Sequence, residues 1–206
     1  MKARKIIAGL VLLLAAQAVT AQNNAEALIR LMVNQMKSHQ NVELTYKYQI
    51  EADGKTSEIQ QGKGWLQGEA YKVEMVEQHI ISDSKTIWTY LVDEEEVMIS
   101  NAEDGVDNTP LKLFTSLDEN YVATLSDIDD KGTATIELAN PKGQYHRVTL
   151  RANVGKMTIK GLDVYLEDGT KLIININEMK FDQELDDKFF TFDPKAHPNV
   201  DVIDMR

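Results

Sequence analysis

Apolar positions along this chain follow two periods, and the changes of period divide it into elements. A basic start (Lys2, Arg4, Lys5) leads into an apolar run from Ile6 to Ala16. Beyond Asn24, a capping residue, Ala27, Leu28, Leu31, Met32, Gln35 and Met36 recur at three- and four-residue spacing. That spacing predicts a helix ending near Lys37-Ser38-His39-Gln40. From residue 41 the period becomes two. Val42, Leu44, Tyr46, Tyr48 and Ile50 share one face, and Glu43, Thr45, Lys47 and Gln49 the other. This is the pattern of an antiparallel strand with one apolar and one wet face.

Asp53-Gly54 marks a hairpin turn, a strand is predicted over Thr56 to Leu66, and Gln67-Gly68 marks the next turn. Tyr71, Val73 and Met75 alternate again. Short strands follow at Ile80-Ile81, Lys85 to Leu91 and Val97 to Ser100. After an acidic loop from Asn101 to Asn108, Thr109-Pro110 opens a brief second helix over residues 110 to 118, with Leu111, Leu113, Phe114 and Leu117 at helical spacing. Strands then fill Tyr121 to Ser126, Thr133 to Ala139, Gln144 to Leu150, Lys156 to Glu167 and Thr170 to Phe181. Turns at Asp130-Lys131-Gly132, Asn140-Pro141-Lys142-Gly143, Asn153-Val154-Gly155 and Glu167-Asp168-Gly169 separate them.

About ten strands and two helices make a mainly β chain with a meandering antiparallel sheet. No parallel β-α-β alternation is visible, which removes the usual nucleotide folds. Two short helices are little cover for so much apolar sheet. Either the sheet folds on itself as a sandwich, or it wraps around the helices and leaves an apolar pocket. Periodicity leaves both open.

The amino terminus changes the picture next. Its apolar run is far shorter than the ~20 residues of a membrane span and has the form of a secretory signal. Val19-Thr20-Ala21 places cleavage before Gln22, leaving residues 22–206 as one exported, soluble domain. Loss of three basic residues leaves 19 Lys plus Arg against 33 Asp plus Glu, a net charge of −14. That argues against nucleic acid as a partner, since such binding draws on basic residues. The chain has no cysteine, which excludes a disulfide framework, thiol catalysis and a cysteine-borne lipid anchor.

Candidate chemistry is sparse. His39, His79, His146 and His197 form no zinc pattern, and Asp127, Asp129, Asp130 and Gly132 lack the rest of a calcium loop. The acidic runs Asp93 to Glu96 and Asp182 to Asp187 read as solvated surface rather than paired catalytic carboxylates. There is no GxSxG elbow, and Gly62, Gly64 and Gly68 precede no helix, so they form no phosphate loop. No enzyme activity, metal or cofactor is expected. Trp65, Tyr71, Trp88, Tyr90 and Tyr121 lie on predicted strands as packing residues.

Ser82-Asp83-Ser84-Lys85-Thr86-Ile87-Trp88-Thr89-Tyr90 resembles the D-G-K-x-x-W-x-Y signature of the outer-membrane lipoprotein carrier (LolA) family, with Ser84 in place of the usual glycine. Phe190-Thr191-Phe192-Asp193-Pro194 and the stretch from His197 to Asp204 resemble its closing strand and tail. The resemblance implies an unclosed, half antiparallel β-barrel whose concave face is covered by short helices around an apolar cavity. It implies a periplasmic, monomeric carrier that takes acylated lipoproteins from an inner-membrane ABC complex to the outer membrane, with a possible acceptor there. The family's functional arginine and adjacent proline are absent from Gly64-Trp65-Leu66-Gln67-Gly68-Glu69-Ala70-Tyr71; Gly68, Glu69 or Ala70 stands where the arginine is expected.

Candidate cavity residues follow from that fold. They are Met32 and Met36 on the first helix, and Tyr46, Tyr48, Tyr71, Val73, Met75, Trp88 and Tyr90 on early strands. Leu111, Leu113, Phe114 and Leu117 on the second helix and Ile174 and Ile176 on a late strand complete the set. The alternative reading keeps the fold as an exported lipid or lipoprotein sensor that moves no cargo. A structural envelope protein with a filled core is third.

Overall fold

Alternation in the first strand is what organises the sheet. In the computed structural model, which describes residues 24–104, 113, 121–140 and 145–206, β1 (Val42–Ala52) buries Val42, Leu44, Tyr46 and Tyr48 on one side. Asp53 and Gly54, with φ of 52° and 70°, close a two-residue hairpin to β2 (Lys55–Thr56), as an Asp-Gly pair favours. The strand expected over Thr56 to Leu66 is therefore split, and its main part is β3 (Gln60–Gln67). β4 (Ala70–Glu74), β5 (Gln78–Ser82), β6 (Thr86–Leu91) and β7 (Glu96–Asn101) continue the meander. β8 (Val122–Ile128), β9 (Thr133–Ala139), β10 (Arg147–Asn153), β11 (Thr158–Tyr165) and β12 (Lys171–Phe181) form a second one.

The two meanders join where β1 pairs β12 over ten positions, from Val42–Phe181 to Glu51–Lys171. The sheet runs β13-β7-β6-β5-β4-β3-β1-β12-β11-β10-β9-β8, and its two ends do not meet. The architecture is thus mainly β with one unclosed sheet. Among the described residues its pairs are antiparallel save one. β13 (Asp201–Asp204) lies parallel on β7, the strand contributed by the tail.

One face of this sheet, called inner here, carries the main core. Leu44, Ile136, Leu138, Val148, Leu150, Leu162 and Val164 are fully buried in it. Helix α1, residues 24–37, completes that core with Ala25, Ile29, Met32, Val33 and Met36. Apart from Ala25, each of these side chains contributes about 1.5–3 kcal/mol by leaving water. The expected stripe is rotated in the structure: Leu31 is 55% exposed, and Ile29 and Val33 take the inward positions. The run Ala27-Leu28-Ile29 and Leu31-Met32-Val33 is apolar on several sides, so spacing alone did not fix its phase.

The end of α1 is tied to the β1–β12 junction. His39 stacks on Phe181 at 4.1 Å, and its Nδ1 lies 2.7 Å from Asp182, which also accepts the Gln40 N–H. These contacts hold Asp182 below the usual carboxylate range, the His39 hydrogen bond being the largest cause. Asn41 and Gln183 exchange two further bonds beside them.

The other face is covered by the tail. Phe189 meets Trp65 edge-on at 5.2 Å, and Phe192 packs on Tyr90 at 5.5 Å. His197 stacks on Phe192 with ring planes 13° apart. From Asp182 the chain therefore crosses the outer face as a strap and ends by adding β13 to the sheet edge. Of the second expected helix, only Leu113 falls among the described residues. It is helical and buried in the main core. The leader and the rest of residues 105–120 lie outside them.

Candidate functional site

The inner face gathers most of the expected cavity residues. Met32, Met36, Tyr46, Tyr48, Tyr71, Val73, Leu113 and Ile174 are buried in one cluster, with Met75 and Ile176 packed against it. Strand register explains the grouping. Val73 is opposite Gly64, which is opposite Leu44, so these positions line one row across β4, β3 and β1.

Trp88 and Tyr90 do not join that cluster. They belong to a second one on the outer face, with Ile81, Val97, Phe192 and Val200. In β6, Ile87, Trp88, Tyr90 and Leu91 put apolar residues on both faces, so alternation held no signal for which was inside. Here the strap decides. Leu111, Phe114 and Leu117 lie outside the described residues.

Gly62 shapes the inner face beside Tyr46. A β-carbon at residue 62 would lie 2.5–2.7 Å from the Tyr46 ring and hydroxyl, so the phenol lies across a backbone that only glycine leaves open. The neighbouring Tyr48 hydroxyl donates to the Gln60 side chain. Burial, then Tyr48 and Glu74, raises the Tyr46 phenol well above its ordinary value. Burial raises Tyr48 as well, against a lowering backbone hydrogen bond from Val76. Both stay neutral at physiological pH. A face of neutral phenols, thioethers and branched aliphatics offers no charge to an alkyl chain.

A cleft of about 460 Å3 opens beside this region, lined by Thr45, Tyr46, Gln61, Gly62, Lys63, Glu74, Met75, Val76, His79 and Asn177. Only Tyr46 and Met75 of the expected residues border it. Most of its other side chains are polar, and register explains why: Thr45, Lys63, Glu74 and His79 are successive cross-strand partners on the outer face. Lys72 pairs with Glu74 at 2.8 Å and stands over the Phe189 ring at 4.9 Å. Burial lowers the His79 pKa, with Glu74 opposing and Lys72 and His197 adding to the shift. Val76 and the amide pair Gln61 and Asn177 carry no periodic signature, and the sequence reading missed them.

Asp182, at the end of α1, and Asp129, in the β8–β9 turn, have structural work. Asp129 is held low mainly by the Thr133 backbone N–H, 2.8 Å from its carboxylate, with the Lys131 N–H at 2.9 Å. It closes a turn on itself. The stretch expected to hold the family arginine is the β3–β4 turn, where Gln67 pairs Ala70 around Gly68 and Glu69. No described helix is long and apolar enough to cross a membrane.

The sequence family model described as outer membrane lipoprotein carrier protein LolA matches residues 48–193. The chain belongs to the LolA family. The matched stretch holds most of the sheet and the first part of the strap, while α1 precedes it and β13 follows it. The outer-membrane lipoprotein carrier protein of Legionella pneumophila (strain Lens) is 27% identical over 131 residues, covering 62% of this chain and 63% of that one. The protein of the same description from Albidiferax ferrireducens is 26% identical over 133 residues, covering 60% and 62%. These matches span a little under two thirds of those relatives. Among solved structures, an uncharacterized conserved protein from Thermus thermophilus superposes with a TM-score of 0.55 at 11% identity, over 85% of this chain and 98% of that one. That likeness concerns the LolA-type fold alone.

Proposed function

We propose that this protein is a periplasmic lipoprotein carrier. It would bury the acyl chains of lipoproteins against the inner face and shuttle them from the inner to the outer membrane. The observation that carries the reading is LolA-family membership across an unclosed sheet whose apolar inner face is backed by α1. Acyl chains are rejected by water at about 0.8 kcal/mol per CH₂. A soluble carrier therefore needs an apolar surface that it can cover when empty, and Tyr46, Met75 and the α1 methionines supply adaptable cover.

In this reading residues 1–21 direct export and are removed. The protein acts as a monomer, an inner-membrane ABC complex supplies the energy of loading, and an outer-membrane acceptor takes the cargo. Native mass spectrometry of protein purified from periplasm should find a chain beginning at Gln22 with an acylated polypeptide bound. Protein that carries none, and takes none from inner-membrane vesicles, defeats the carrier.

One observation favours a second reading, binding or sensing without transport. The β3–β4 turn holds Gly68 and Glu69 where the family resemblance places an arginine. Co-purification with the ABC complex favours transport, and a stable signalling partner favours sensing.

A further inference from the structure

Two histidines from distant parts of the chain meet on one buried tyrosine. Tyr90 has the His79 ring of β5 at 5.8 Å and the His197 ring of the strap at 4.7 Å. His197 also stacks on Phe192, the strap residue that packs on Tyr90 itself. Val200 packs against the same cluster, and β13 begins at the next residue. The distal strap is thus fastened to the sheet through rings, two of which can take a proton.

The surroundings of His79 set the sign of that event. Burial is the largest cause holding its pKa below the ordinary value. On β4, its cross-strand partner Glu74 opposes the shift, and Lys72, 2.8 Å from Glu74, adds to it. On the strap, His197 adds to it as well. Asp193 and Lys195, on the turn that carries His197, bring one charge of each sign. Lifting the strap removes His197 and admits water to the Tyr90 cluster, but leaves Glu74 in place on the sheet. His79 therefore holds a proton better with the strap lifted, and by linkage a proton on His79 favours lifting. The strap's root responds in the opposite sense. There His39 lies 2.7 Å from the Asp182 carboxylate, so a proton on its ring strengthens the contact.

We propose that this ring cluster is a proton-sensitive latch: protonation of His79 releases the distal strap and β13, uncovering Tyr90 and the edge of β7, while the root stays fastened. Closure is at full strength above the lifted-state pKa, ordinarily ~6.5, and weakens as pH falls from there through the lower closed-state value. The latch works the same way whatever the inner face binds.

Amide exchange of the full chain, corrected for the intrinsic effect of pH, tests it. Between pH 7.5 and pH 5.5 the protection of β13 should fall, starting near the ordinary imidazole value of ~6.5, while that of β9 and β10 holds. His79→Gln keeps a neutral polar side chain and should abolish the fall. A second measurement reads the linkage in reverse, by NMR titration of His79 in the unaltered protein and in Phe192→Ala. Loosening the strap should raise the His79 pKa toward its ordinary value. β13 protection that ignores pH, a fall that persists in His79→Gln, or the same His79 pKa in both chains would each overturn the latch.

Discussion

Gly62 and Tyr46 form an exacting contact on the inner face. In an open strand, replacing glycine by alanine stabilises by roughly 0.5–1 kcal/mol through backbone entropy. Here the new β-carbon would fall 2.5 Å from a ring atom of a tyrosine that is itself only 7% exposed. Overpacking of this kind costs about 1–3 kcal/mol, so the clash should win. Gly62→Ala is expected to destabilise by about 1–2 kcal/mol in urea unfolding. Most of that cost should vanish in a Tyr46→Ala background, because the two residues are in contact and their effects couple. Additive effects would mean that Tyr46 does not lie across Gly62.

The strap is an element built from few residues, and Phe192 is its anchor. It packs on Tyr90 at 5.5 Å and stacks on His197 at 5.1 Å, and beyond it the chain supplies β13. Among the described residues β13 pairs β7 alone, in parallel, and its side chains are exposed, so the strap is its main hold. Phe192→Ala should cost about 3 kcal/mol for a buried ring. Amide exchange should then quicken in β13 while β9 and β10, whose inward side chains are fully buried, keep their protection. Uniform quickening across the sheet would show that strap and core unfold as one unit.

For the whole molecule the decisive quantity is the linkage between cargo and stability. A ligand that binds only the folded protein at ~100 times its Kd adds about 2.7 kcal/mol. In a domain of this size each kcal/mol moves Tm by about 2–4 °C, so saturation with a diacylated lipopeptide should raise Tm by about 5–10 °C. The same peptide without acyl chains should not. Tm unmoved by a lipopeptide shown to bind would mean that it sits on the surface and not in the fold. Charge placed on the inner face makes the complementary case. Val73 is buried in the same inner-face row as Leu44, next to the row of Tyr71, and a carboxylate there would lack a partner.

Much of the architecture was legible in local pattern. Period-two alternation marked nearly every strand, and the β9 boundaries, Thr133 to Ala139, were read to the residue. Asp53-Gly54 and Asp168-Gly169 announced their turns because few residue pairs adopt such backbone conformations readily. The absence of β-α-β alternation fixed an antiparallel meander. The motif around Trp88 placed the chain in its family. What sequence could not carry was anything that depends on a second segment arriving. The phase of α1 was set by the sheet that receives it, since its apolar residues spread over too many sides to choose Ile29 over Leu31. The side of the sheet to which Trp88 and Tyr90 belong was set by the strap, more than a hundred residues later. The polar cleft exists because register aligns Thr45, Lys63, Glu74 and His79 from four strands, and register is fixed by cross-strand pairing that no single strand encodes.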